Sequence, residues 1–534
     1  MHFLRNKALV FSFEFKKFVP VFIFIIADVI YCIMLLGAIL PIVCFVLLLG
    51  VCKLSGVLSS ILSLCLTLII ATVGFDFSFQ DICGSVVYGG MKAMFPILFI
   101  IVMAMFSYNL LQSNGQMEII KKWFANLVSE RSILVLLITW GGGGLLEAMA
   151  GFGTAEAICV SLLVSLGFCP LFSAIVCLLG NSVITAFGAV GTPVLVLAEE
   201  TRIDAGLLGK DIIMQLGVFA FLFPFVLLVM AKPERRALPE HFLLALLVGS
   251  ASLLGQFMAV LYIGVEVPSI VSSLCSIAVI LLYNRFRIFY KRDRNNRNYN
   301  VITKGQLFRA WSVYIFVLFL IVITSPLFSD FRKLLAAYAT SHFNYSIGGH
   351  NVSYSIPWLI QGGLLIGMGT FLGGLLQSVS VKKMFGILGK TIYQLRKVFV
   401  TLVCLIILST VMNYAGMITC IAMAAAGALG EVYPFFSPLI GCLGTFITGS
   451  GTSSNILFGK LQADIAVQLH IEPNWLAAGN MSGTTAGKMF SPQSIAVVTS
   501  NPILKGQEGV ILYKMLPYAL VYVCMIGAIV FCFS

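Results

Sequence analysis

Apolar residues along this chain come in blocks rather than in alternation with polar ones. Runs near 20 residues, the length that crosses about 30 Å of hydrocarbon, recur from end to end between short polar or basic connectors. Read as helices, they lie at roughly 18–36, 37–53, 57–75, 92–112, 132–146, 155–169, 171–198, 212–231, 240–262, 266–283, 311–328, 357–377, 397–412, 415–430, 436–448, 475–490 and 511–533. Several are too short or too rich in glycine to cross alone. The pattern predicts about 12–14 transmembrane helices together with broken or re-entrant segments. The expected class is an all-α polytopic membrane protein; a closed β-barrel would show alternating segments of about 10 residues.

Composition agrees. Hydrophobic residues make up 60% and charged residues 10% of the chain, against about 25% charged in soluble domains. The formal net charge of +12 is not a nucleic-acid footprint, because the basic residues sit in short connectors, where the positive-inside rule puts them. The stretch Arg285–Arg309 holds eight Lys/Arg and one Asp, so loop 285–309 is expected to be cytoplasmic. Two spans upstream, Ala231–Arg236 falls on the same side; two spans downstream, so does 379–397 with Lys382, Lys383, Lys390, Arg396 and Lys397. The polar segment 329–354 between them is expected outside. The fourteen cysteines are scattered through apolar runs without a C-x-x-C pair, as small hydrophobes are, so no disulfide or zinc framework is expected. Residues 1–36 read as an N-terminal extension. Phe18–Leu36 is apolar and follows Lys16 and Lys17, but no small-residue cleavage site follows it, which argues against a signal peptide. An extra anchor and an upstream extension of a protein starting at Met34 are both open.

Self-comparison gives the most. LEAMAGFGT (146–154) aligns with GTFITGSGT (444–452): Gly151, Gly153 and Thr154 match Gly449, Gly451 and Thr452. GNSVITAFGAVGTP (180–193) aligns with GNMSGTTAGKMFSP (479–492): Asn181, Thr185, Gly188 and Pro193 match Asn480, Thr484, Gly487 and Pro492. The chain therefore divides into a first transport repeat (37–211), connecting helices (212–356) and a second transport repeat (357–534). Paired helix interruptions in two halves point to the binding site of a secondary transporter, and irregular backbone at membrane depth is tolerated only against protein or a water-filled cavity. The competing explanation, that small residues merely permit close helix packing, applies to any one glycine better than to two matched sets.

Interrupted helices offer free amides and a partial positive end to an anion. The expected substrate-binding residues are Gly151, Gly153, Thr154, Asn181, Thr185, Ser450, Thr452, Ser453, Ser454, Asn455, Thr484, Lys488 and Ser491. Ionisable residues inside a membrane are costly and functional by default. Five lie near the breaks: Glu147, Glu156, Lys460, Asp464 and Lys488. Glu147, flanked by small residues, suits a proton carrier; its plainer alternative is an ion pair with Lys460 or Lys488. Lys488 is expected inside the second break, facing a substrate carboxylate or neutralising Glu147. Lys460 and Asp464 are spaced to pair along one helix face. Glu156 is placed to line the cavity. The pattern calls for no cofactor or metal. His2, His241, His342, His350 and His470 lie outside the repeated motifs, so the chain lacks the nucleophile–base or metal constellation of an enzyme. A channel is disfavoured because matched broken repeats suit alternating access.

At WGGGGLLEAMAGFGTAEAI, LLGNSVITAFGAVGTPVLVLA, LGTFITGSGTSSNILFGKLQA and GNMSGTTAGKMFSPQSIAV the chain resembles the L-lactate permease family of bacterial proton-coupled transporters. SNGQMEIIKKWF is also similar, and the resemblance spans about residues 37–530. It implies symport of lactate, commonly also glycolate, with protons across the bacterial cytoplasmic (inner) membrane, by two repeated halves and an elevator-type motion. A homo-oligomer is compatible with it. The chain departs from the family pattern at Gly451, which replaces the acid of G-S-D-T-S-S-N, at Ala148 and at Ala155. Loss of that acid leaves coupling to rest more heavily on Glu147, or the substrate to differ. A sodium-coupled carrier of another small organic anion is the alternative.

Overall fold

Several of the apolar runs start at a residue that satisfies a first-turn amide of the helix. Ser55, Ser78, Asp204 and Ser380 accept from the backbone amide three residues on, and Thr303 and Gln306 close a reciprocal capping box. The computed structural model describes residues 32–48, 51–52, 54–128, 130–151, 154–231, 238–291, 303–348, 350–499 and 502–534. Among these, eleven helices are long and apolar enough to cross a membrane, with shorter apolar helices beside them. The all-α polytopic class holds.

The first part of the chain forms α1 (Cys32–Leu48), α2 (Gly56–Gly74), α3 (Phe79–Lys92), α4 (Phe99–Ser113) and α5 (Gln116–Asn126). Then comes a hairpin: α6 (Arg131–Leu136) runs through a π-turn into α7 (Gly143–Ala150), and α8 (Thr154–Ser165) returns. An interrupted span follows, α9 (Pro170–Ser182) and α10 (Gly188–Thr201). The connecting region holds α11 (Ala205–Met230), α12 (Leu238–Tyr262), α13 (Pro268–Lys291), α14 (Lys304–Ile323) and α15 (Ser329–Tyr338). After strands β1 (Thr340–Ile347) and β2 (His350–Pro357) come α16 (Gly362–Leu376), α17 (Val381–Tyr414) and α18 (Met417–Leu429). The second hairpin is α19 (Tyr433–Thr448) and α20 (Gly451–Gln468), the second interrupted span α21 (Pro473–Phe490) and α22 (Pro492–Val498), and α23 (Glu508–Cys532) ends the chain.

Between the two hairpins lie Pro170–Thr201, α11, α12, α13, α14, α15, the strands β1 and β2, α16, α17 and α18. Buried glycines weld the second repeat. A Cβ on Gly441, Gly483 or Gly487 would lie 2.0, 1.8 or 2.2 Å from the carbonyl oxygens of Asn480, Pro438 and Cys442. Helices α19 and α21 therefore touch backbone to backbone, as small-residue interfaces in membranes do.

Some expectations need amending. The basic stretch 379–397 is no loop: it forms the first half of α17. Of the 285–309 loop, α13 takes residues up to Lys291 and α14 those from Lys304, while 292–302 lie outside the described residues. So do 1–31 of the N-terminal extension and 232–237 of the upstream basic connector. The polar segment 329–354 contains α15 and most of an antiparallel hairpin, in which Ile347 pairs with His350. The sequence reading missed that hairpin. It is anchored on Tyr88 of α3, whose ring meets those of Tyr345 and Tyr354 edge-on, and the Gly348 amide donates to Asp81 Oδ1 at 2.6 Å.

Candidate functional site

Both hairpins break at their tips. In the first, α7 stops at Ala150; Gly151 follows at φ +62°, its amide donating to the Glu147 carbonyl at 2.9 Å. In the second, α19 stops at Thr448, Gly449 takes φ +71°, and extended Ser450 caps α20 by accepting from the Ser453 amide at 3.2 Å. Glycine is the residue that enters this left-handed region without strain.

The interrupted spans differ more. Below α9 the chain tightens into a 3₁₀ turn over Val183–Phe187. Ala189, Val190 and Gly191 then take φ of +45°, +56° and +71° before Pro193, which has no amide to continue a helix. In the second half, α21 runs unbroken to Phe490, and the interruption is Ser491 alone, which caps α22 and is followed by Pro492. The expectation that GNMSGTTAGKMFSP is itself unwound is thus corrected. Gly483 and Gly487 serve as contact surface against α19, where a helix must stay regular to pack. Lys488 lies on the last turn of α21, not within a break.

The tips and the interrupted spans meet around one small cavity. From the first half it is lined by Glu147, Gly151, Thr185, Gly188, Ala189, Thr192 and Pro193. From the second it is lined by Gly449, Ser450, Gly451, Thr452, Met481, Thr484, Lys488 and Gln493. Glu147 (3% exposed) and Lys488 (9%) are both buried charges, and Glu156 (2%) lies in the field of both. The Lys460 ammonium sits 2.6 Å from Asp464 Oδ1, so the simple pairing along one helix describes those two. At the head of α20 the Ser450 side chain and carbonyl take the amides of Ser453 and Ser454. The remaining first-turn amides, of Gly451 and Thr452, belong to residues that border the cavity. Gly451 stands where the family pattern has an acid; a Cβ there would lie 3.0 Å from Thr484 Oγ1.

Of the expected binding residues, Gly151, Thr185, Ser450, Thr452, Thr484 and Lys488 line this cavity. Gly153 lies outside the described residues, and Thr154 is present as the first residue of α8. Ser453 borders a neighbouring cavity instead. The others are structural struts. Asn181 Nδ2 donates to Glu156 Oε1 at 3.1 Å, Ser454 Oγ to the Gly441 carbonyl at 3.0 Å, and Ser491 caps α22. Asn455 Nδ2 donates to the Pro193 carbonyl at 2.9 Å while its Oδ1 accepts from Asn480 Nδ2 at 2.9 Å, tying the second hairpin to the first interrupted span. Sequence reasoning missed Thr192, Met481 and Gln493. Thr192 and Gln493 each adjoin a matched proline, which was the available signal.

Sequence comparison with known proteins converges on one family. Residues 34–534 match the family model described as L-lactate permease. The L-lactate permease of Streptococcus iniae is 40% identical over 443 residues, covering 83% of this chain and 92% of that one. The glycolate permease GlcA of Escherichia coli K12 is 32% identical over 530 residues, covering 92% and 94%. The crystal structure of the Alcanivorax borkumensis YdaH transporter superposes with TM-score 0.48 at 14% identity, over 84% of this chain and 87% of that one. These relatives are permeases, and the chain is a membrane transport protein rather than an enzyme. It belongs to the L-lactate permease family.

Proposed function

We propose that the chain is a proton-coupled symporter of small monocarboxylates, L-lactate and glycolate foremost, in the bacterial cytoplasmic membrane. The observation that carries this reading is that Glu147 and Lys488 border one cavity walled by the interruptions of both halves. The relatives are named as permeases of L-lactate and glycolate. A solute carboxylate has two sources of attraction there: the Lys488 ammonium and the amides at the head of α20. The hydroxyls of Thr185, Ser450 and Thr484 are available to the 2-hydroxyl that both solutes carry. Glu147 supplies the coupling. An anion entering beside an ionised carboxylate meets like charge and a cation already drawn upon; a proton on Glu147 removes the repulsion and leaves Lys488 to the solute. Binding of solute and proton then favour each other reciprocally.

Uptake of radiolabelled L-lactate and glycolate into proteoliposomes at two pH gradients tests the reading. Accumulation is expected to follow the pH gradient, and Glu147→Gln is expected to abolish accumulation while sparing solute exchange. Accumulation that survives Glu147→Gln removes the proton role of this residue. Accumulation that follows a sodium gradient with the pH gradient collapsed replaces the proton with sodium.

A further inference from the structure

A second cavity, about 380 Å³ against about 70 Å³ for the central one, lies beside it. It is walled by α1, α2, α4 and α17 on one side and by the tip of the α19–α20 hairpin with Gln493 of α22 on the other. Ser450, Thr452 and Gln493 line both cavities. The partition between them is thin: a Cβ on Gly449 would fall 1.9 Å from Gln493 Oε1, so the Gln493 side chain lies flat on the hairpin tip. The outer cavity is two-faced. Lys397 and Thr401 of α17 join the shared polar residues, whereas Phe45, Leu402 and Leu405 give an apolar wall. Among the described residues that line it, Lys397 is the one charged group. It stands on the basic half of α17, the half the positive-inside rule assigns to the cytoplasm.

We propose that this outer cavity is a second carboxylate station, where Lys397 holds the solute before it passes Gln493 into the central cavity. The chemistry fits a small organic acid. One cation without a charged neighbour in the lining attracts an anion, the adjacent hydroxyls hydrogen-bond it, and the apolar wall accepts its carbon end. The phosphate of a lipid headgroup shares the carboxylate's chemistry, so the test separates the two. The role of the station in solute passage rests on the monocarboxylate reading above, whereas its preference for anions does not.

A thiol introduced by Thr401→Cys, followed at peptide level by mass spectrometry, reports on the cavity directly. Sulfonatoethyl methanethiosulfonate (anionic) is expected to label it about fivefold faster than the aminoethyl reagent (cationic) in phosphatidylcholine vesicles, with Lys397→Gln erasing the preference. L-Lactate should slow the labelling. In transport, Lys397→Gln should raise KM about fivefold for solute offered from this face, leave kcat and the opposite-face KM in place, and be rescued by Lys397→Arg. Equal labelling by the two reagents, or an unchanged preference in Lys397→Gln, overturns the station. Protection that appears only when phosphatidylglycerol is present assigns the cavity to lipid and overturns it too. If the protein carries lactate yet lactate leaves labelling untouched, the cavity is not on the solute's route. If it moves neither lactate nor glycolate, the monocarboxylate reading falls, while the reagent preference still judges the anion station by itself.

Discussion

The two interrupted spans share a sequence frame and part company in geometry. Gly188 and Gly487 occupy the same aligned position, as do Pro193 and Pro492. In the first half, irregular backbone spreads from the 3₁₀ turn at Val183 to Gly191, with residues forced into the left-handed region. In the second, one residue is extended. Proline explains where each interruption ends, because its ring and missing amide forbid helix across it. It does not explain how far unwinding spreads backwards. Packing does: α21 is fused to α19 through glycines that admit no Cβ, so it cannot unwind before Ser491 without losing that interface. At Gly188 a Cβ would meet nothing closer than Glu147 Oε1 at 3.4 Å, ordinary contact with the cavity wall. One half is a regular, closely packed post, the other an irregular strap around the same site.

The sharpest way to break this comparison is to put a methyl group at the aligned glycines. Gly487→Ala drives its Cβ to 2.2 Å from a backbone carbonyl of α19, and neither partner is a side chain that can swing away. The cost is expected to exceed the ~1–3 kcal/mol of ordinary overpacking and to leave little monodisperse protein on size exclusion in detergent. Gly188→Ala should fold with a thermal midpoint close to that of the parent and lose transport instead, since its methyl enters the cavity beside Glu147. Equal loss of folded protein in both variants would mean the halves are not mechanically different.

How much of this was legible in the sequence follows from the same contrast. The duplication, the paired glycines and prolines, and the buried carboxylate and lysine are all readable, because each is a departure from what lipid-facing helix requires. What a polar residue at membrane depth does there is not readable. A buried polar group must find a hydrogen-bond partner, and a strut across two helices meets that need as well as a solute does. Asn181, Ser454 and Asn455 look like cavity residues in one dimension and are internal ties in three. Gln493 carries no mark of its own in the sequence beyond following Pro492, yet it is the side chain between the two cavities. No propensity points to left-handed Ala189 and Val190.

A middle-sized effect probes the tie between post and strap. Asn455 links the Pro193 carbonyl at the end of the strap to Asn480 of the post. Asn455→Ala leaves both partners buried without it, at about 1–3 kcal/mol for each group left unsatisfied. The thermal midpoint of purified protein should fall clearly, and the fall should shrink in Asn455→Ala combined with Asn480→Ala, since the second change removes one orphan. A midpoint unaffected by Asn455→Ala would show that the halves are held together elsewhere.

The smallest expected effect asks whether the single-residue interruption is stabilised locally. Ser491 Oγ accepts the Ser494 amide at 3.1 Å and heads a seven-residue helix too short to hold itself together. Removing such a cap by Ser491→Ala typically costs about 0.5–2 kcal/mol. The strap has a different device: Thr192 Oγ1 donates to the Ala189 carbonyl at 2.5 Å, and the residue heading α10, Phe187, makes no side-chain cap. Thr192→Ala removes a hydroxyl that donates to one carbonyl and leaves no helix amide uncapped, whereas Ser491→Ala orphans the Ser494 amide. It should therefore cost less than Ser491→Ala in the same thermal assay. The reverse ranking would mean that the strap's left-handed run depends on that one hydroxyl, and that the first interruption is the more tightly specified of the two.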